Sequence, residues 1–187
     1  MAASFSSMSQ FVLMKGSTAV ISLYNGPYNV LTHTVRQGLM LNLQRAAADH
    51  TIESVILTGF GHFCSGPDIK ELNRGPQQSP STKEIIAFID TFEKPVIANV
   101  RGAVLGSGLE LALACHWRYA DATAFFGFPE ALVGLIPGMK AISCRKKGEL
   151  AFLPCYFNEL LLLIPATSTD TILHVIAVKA HANLIWS

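Results

Sequence analysis

Charge is scarce in this chain: charged residues make up 14% of its 187 positions against 50% for hydrophobic ones, and the net charge is +1. That balance excludes a self-repelling disordered segment. It also excludes nucleic acid as the main partner, because phosphate binding needs a concentrated basic surface. The one basic cluster, Arg145-Lys146-Lys147, reads as a solvated turn. Long apolar runs are missing too. Leu160 to Ile164 falls far short of the roughly 18 consecutive apolar residues a membrane span requires, so no span is expected. Paired cysteine spacing is absent as well. Cys64, Cys115, Cys144 and Cys155 include no Cys-x-x-Cys, which argues against a zinc site or a disulfide framework and for reduced thiols in an intracellular compartment. The Ser-rich start, Met1 to Gln10, lacks the basic flank and apolar run of a secretory leader and the arginines of a mitochondrial one. The final Ile185-Trp186-Ser187 is not a peroxisomal Ser-Lys-Leu address. A chain of this length fits one domain with a sizeable core.

What is present is an alternation of two periods. Phe11 to Met14 and Thr18 to Leu23 read as strands turned at Lys15-Gly16-Ser17. Thr34 to Ala48 carries Val35, Leu39, Leu43 and Ala46 at helical spacing. Ser54 to Gly59 has the form of a buried strand, and Gly61 to Pro80 reads as irregular. Lys83 to Phe92 is a short helix stopped by Lys94-Pro95, Pro95 to Val100 a strand, Arg101 to Gly108 a glycine-rich turn, and Leu109 to Cys115 a helix start. Strands and helices in this order predict an α/β fold with right-handed crossovers. Ligands in such folds bind where strand ends meet helix N-termini, which marks the glycine-rich turns at 59–66 and 102–108.

The richest segment for chemistry is Val100 to Cys115. Glycines after a strand admit close backbone approach, and a helix start offers free N–H groups to a phosphate or a developing oxyanion. Tight helix-on-sheet packing explains the same glycines equally well. Two sharper rivals fail. Gly102-x-x-x-Gly106-x-Gly108 is similar to the nucleotide loop of short-chain dehydrogenases, but no Tyr-x-x-x-Lys follows any tyrosine. Ser107, in Leu-Gly-Ser-Gly-Leu, does not fit the Gly-x-Ser-x-Gly nucleophile elbow. Glu110 and Glu130 each read alone as first-turn acids, Glu130 beside an N1 proline. Brought together, one can hold a proton while the other accepts one.

Three blocks carry a family resemblance. Gly61-His62-Phe63-Cys64-Ser65-Gly66-Pro67-Asp68-Ile69-Lys70-Glu71, Arg101-Gly102-Ala103-Val104-Leu105-Gly106-Ser107-Gly108-Leu109-Glu110 and Phe126-Gly127-Phe128-Pro129-Glu130 through Gly138 resemble, in order, the motifs of the enoyl-CoA hydratase (crotonase) family. Arg45 to Ile52 and Ala112 to Ala120 are most similar to the hydratase domains at the front of peroxisomal bifunctional enzymes. The resemblance covers roughly residues 10–138. It implies a spiral fold of repeated ββα units, with 1–138 an acyl-CoA-binding core and 139–187 a divergent C-terminal segment. It implies that Glu110 and Glu130 activate a water for addition to a 2-enoyl-CoA, with Glu130 the proton donor to C2. The thioester oxygen is then held by backbone N–H groups at the positions of Pro67 and Ser107, and Asp68, Ile69, Lys70 and Gly106 line the substrate. No cofactor is implied, since coenzyme A belongs to the substrate, and neither metal nor NAD is expected.

Two features depart from the pattern. Proline has no N–H, so Pro67 cannot supply its donor, while Ser107 stands where the family has glycine. From Met139 the arginine- and glycine-led helix of the family gives way to stretches such as Leu160 to Ile164, which reads as an altered or truncated end and weakens the homo-oligomer that the family implies. The expected activity is hydration in fatty-acid β-oxidation, impaired by Pro67. The alternatives are double-bond isomerisation and a non-catalytic acyl-CoA-binding product. The expected compartment is peroxisomal by resemblance, otherwise cytoplasmic.

Overall fold

A computed structural model describes residues 9–13, 16–72, 75 and 77–130. The expected boundary at 138 and the segment 139–187 lie outside them. The first two strands, β1 (Ser9–Leu13) and β2 (Thr18–Leu23), form an antiparallel hairpin. Helix α1 (His33–Ala48) follows, capped by Thr32, whose Oγ1 accepts from the Val35 N–H at 3.4 Å. It buries Val35, Leu39, Leu43 and Ala46, the stripe legible in the sequence.

The chain then repeats one unit: a strand in a large sheet, a short strand in a small sheet, then a helix. Strand β3 (Ser54–Gly59) leads to a bridge at Cys64 and then to α2 (Ile69–Leu72) and α3 (Thr82–Asp90). Strand β4 (Val96–Val100) leads to β5 (Ala103–Leu105) and α4 (Ser107–Ala114), and β6 (Trp117–Ala120) leads to β7 (Phe125–Gly127). The large sheet has the order β1-β2-β3-β4-β6, parallel from β2 onward. The small sheet pairs β5 with β7, and Cys64 bridges to Val104 on β5.

Parallel register fixes the core. Ile21, Leu57 and Ala98 are direct neighbours across three strands, and they join the apolar face of α1 in one buried cluster. Ser54, Ile56 and Thr58 on the opposite face are half-buried. So β3 is buried on one face rather than both, because its alternate residues alone meet the helical layer.

Two segments expected to be irregular carry short elements. The turn at 101–108 contains β5 because the Cys64 main chain pairs there: Cys64 N donates to Ala103 O at 3.0 Å and Leu105 N to Cys64 O at 2.9 Å. The stretch 61–80 contains α2, started by Asp68, whose Oδ1 accepts from Lys70 N at 2.9 Å. Among the described residues no helix is long and apolar enough to cross a membrane.

Candidate active site

Non-local pairing draws the two glycine-rich turns together at the ends of the parallel strands. Phe63 N donates to Arg101 O at 2.9 Å, which continues the Cys64 ladder. Two of the glycines serve close approach. Any Cβ at 108 collides with the Cys64 carbonyl, so Gly108 answers to packing. Gly106 has a different duty.

Gly106 is the residue before the first turn of α4, with φ +52 and ψ −127, and it gives no side-chain cap. Its carbonyl accepts from Glu110 N at 3.0 Å, which fixes Glu110 one turn further on. Glu110 is 6% exposed, and helical side chains lean toward the N-terminus over the preceding turn. Glu130 arrives from the other direction, in a 3₁₀ turn after β7. A methyl group at position 106 would sit 2.5 Å from Glu130 Oε1. Glu110 thus sits in the first turn of α4 and the Glu130 carboxyl lies against Gly106 at the start of that helix, although 20 residues separate the two acids in sequence.

The Glu130 Oε2 is buried and, among the described residues, has no hydrogen-bond partner. Burial raises its pKa above the usual carboxylate value, only partly opposed by its own backbone N–H. Burial thus holds the Glu130 proton to higher pH than on a free carboxyl. Gly106→Ala is expected to keep the fold at a cost of about 1–3 kcal/mol for the strained backbone. It is expected to cut turnover by about 10²-fold, because the added methyl displaces Glu130. Thermal unfolding and steady-state rates on the same preparation separate the two effects.

Beside α4 lies the segment from Gly66 to Leu72. Gly66 has φ +99, and a methyl there would lie 3.0 Å from Leu105 O and 3.5 Å from Ser107 N. Pro67 bridges to Leu31, and Leu31 N donates to Gly66 O at 2.9 Å. The start of α4 at Ser107 thus lies close to Gly66, the residue before Pro67. Ile69 and Lys70 present exposed side chains, and Asp68 is turned to cap α2. Cys64 is no nucleophile: burial pushes its thiol up to about 12, against a weak lowering by the Gly66 N–H. Among the described residues no group of three His, Cys, Asp or Glu side chains is arranged to hold a metal ion.

Sequence reasoning missed the anchor of this segment. Arg36 on α1 is fully buried. Its Nη1 donates to Leu31 O at 2.7 Å and to Glu71 Oε2 at 2.8 Å, and its Nε donates to Pro80 O at 2.9 Å. Glu71 Oε1 in turn accepts from His33 N at 2.8 Å. The available signal was position: Arg36 precedes Leu39 and Leu43 by three and seven residues, on the buried stripe.

Such a spiral of strand, short strand and helix defines the crotonase class, and the chain belongs to the enoyl-CoA hydratase/isomerase family, whose sequence pattern matches residues 14–149. The peroxisomal bifunctional enzyme of Danio rerio is 40% identical over 131 residues, covering 70% of this chain and 18% of that enzyme. A probable enoyl-CoA hydratase of Bacillus subtilis is 40% identical over 127 residues, covering 64% of this chain and 49% of that protein. The crystal structure of an enoyl-CoA hydratase subunit I from Geobacillus kaustophilus superposes with a TM-score of 0.65 at 26% identity, covering 73% of this chain and 55% of that one. The chain therefore spans 18% of the bifunctional enzyme's length and about half that of the other two.

Proposed function

We propose that this chain is an enoyl-CoA hydratase-like hydro-lyase that adds water across the 2,3 double bond of a 2-enoyl-CoA in fatty-acid β-oxidation. The carrying observation is the Glu130 carboxyl, held against Gly106 with its Oε2 unpartnered among the described residues, at the helix turn that also bears Glu110. Glu110 takes a proton from the water, the water oxygen bonds to C3, and Glu130 gives its proton to C2. The proton on Glu110 returns to Glu130 before the next turnover, so the balance is one water added. The Ser107 N–H holds the thioester oxygen as it gains charge. Asp68, Ile69 and Lys70 lie along the coenzyme A moiety, which is part of the substrate, and no cofactor enters these steps. A peroxisomal setting belongs to the same reading and is supported by the name of the bifunctional relative.

Loss of enoyl absorbance from a short 2-enoyl-CoA, with a 3-hydroxyacyl-CoA as product, tests the proposal. A product that keeps its double bond at a shifted position would instead establish isomerisation. Pro67, lacking an N–H, favours a second reading, an acyl-CoA-binding protein without catalysis. Tight binding of a non-hydratable acyl-CoA with no turnover would establish that one. The rate should also respond to pH with a definite sign. Burial makes the Glu130 anion unfavourable, so the proton persists above the ordinary carboxylate range, and kcat is expected to fall as pH rises through that raised pKa. A kcat profile with no alkaline decline would remove Glu130 from the donor role.

A further inference from the structure

Two departures from the family pattern, Pro67 and Ser107, lie close together, Ser107 N being 3.5 Å from where a Cβ on the preceding Gly66 would be. Pro67 brings no N–H to the spot where a thioester oxygen needs a second donor. It is also fixed there, because Leu31 bridges to it and bonds to the Gly66 carbonyl. Ser107, at the first position of α4, starts that helix beside the same segment. Ser107 is half-buried, and among the described residues its hydroxyl makes no hydrogen bond. Within one serine, N and Oγ are close enough to donate to a single oxygen, and O–H donors to an oxyanion are among the strong ones.

We infer that Ser107 is a double donor, its Oγ–H replacing the N–H that Pro67 lacks, so that one residue supplies both bonds to the enolate oxygen. The inference rests on the hydratase reading of this site and deepens it. The consequence is epistasis. In the natural chain, Ser107→Ala is expected to lower kcat/KM by about 10²–10³-fold. In a Pro67→Ala background, where a backbone donor is restored, the same change is expected to cost less than about tenfold. Pro67→Ala alone raises the rate. Equal losses in the two backgrounds, or no loss from Ser107→Ala in the natural chain, would overturn the inference.

A second readout separates it from the hydration proposal. The ultraviolet band of the enolate of a bound 3-oxoacyl-CoA reports donor strength at the thioester oxygen without any addition of water. An enolate band lost in Ser107→Ala, in a chain that hydrates nothing, keeps the donor and removes the hydratase. Hydration unchanged by Ser107→Ala keeps the hydratase and removes the donor. Neither hydration nor an enolate band removes both.

Discussion

Glu130→Gln is expected to lower hydration by about 10²–10⁴-fold while leaving acyl-CoA binding and folding intact. Glutamine preserves the shape that fits against Gly106, and it hydrogen-bonds as well as the acid does. What it lacks is a transferable proton. Stability should hold or rise slightly, because the carboxyl has a buried, unpartnered Oε2 and a pKa raised by burial, and the amide removes the penalty on the charged form. A rate within about tenfold of the natural chain would take Glu130 out of the chemistry. Glu110→Gln should fall by a comparable factor, and the double variant by little more, since two acids acting in one proton cycle do not add independently.

Arg36→Leu carries the largest expected effect on stability, about 3 kcal/mol, at the low end of the roughly 3–5 found when one partner of a buried ion pair is removed. The low end applies because the Glu71 side chain is 22% exposed and can recover some hydration. The loss strands the Leu31 and Pro80 carbonyls as well as Glu71. Urea unfolding measures it, and a change under about 1 kcal/mol would show that the pair anchors nothing. Acid gives a second check. Burial raises the Glu71 pKa, but the bonds from Arg36 and the His33 N–H together outweigh it and leave the carboxyl below its ordinary value. The pair's contribution is therefore fully present above the unfolded carboxylate pKa and is lost as pH falls through the lowered folded one. Arg36→Leu should flatten that acid limb.

Regular elements were legible because their signals are local. The stripe Val35, Leu39, Leu43, Ala46 gave α1, and the β-branched run at 54–59 gave β3. Boundaries slipped where a cap was overlooked. Ser81 and Glu84 form a reciprocal capping box, which starts α3 at Thr82 rather than Lys83. The strands β5, β6 and β7 left no readable trace, because three or four residues cannot display a period and their pairing partners lie far away in sequence. The two acids were legible as residue types at helix starts, and the placing of Glu130 against Gly106, one turn before Glu110, was not. That placing depends on β7 delivering Pro129-Glu130 beside α4, where Gly106 N also bonds to Gly127 O at 2.9 Å. Arg36 was legible as a charge on the buried stripe, but its partners were not, because nothing local marks Glu71 and the Pro80 carbonyl as its acceptors.

The small sheet has a kinetic meaning. Its contacts join Cys64 to Val104 and Val104 to Phe126, closing loops that a collapsing polymer reaches late, after helices and the hairpin have formed. Recovery of turnover after dilution from denaturant should accordingly lag behind recovery of helical ellipticity, with chemistry as the last property to return.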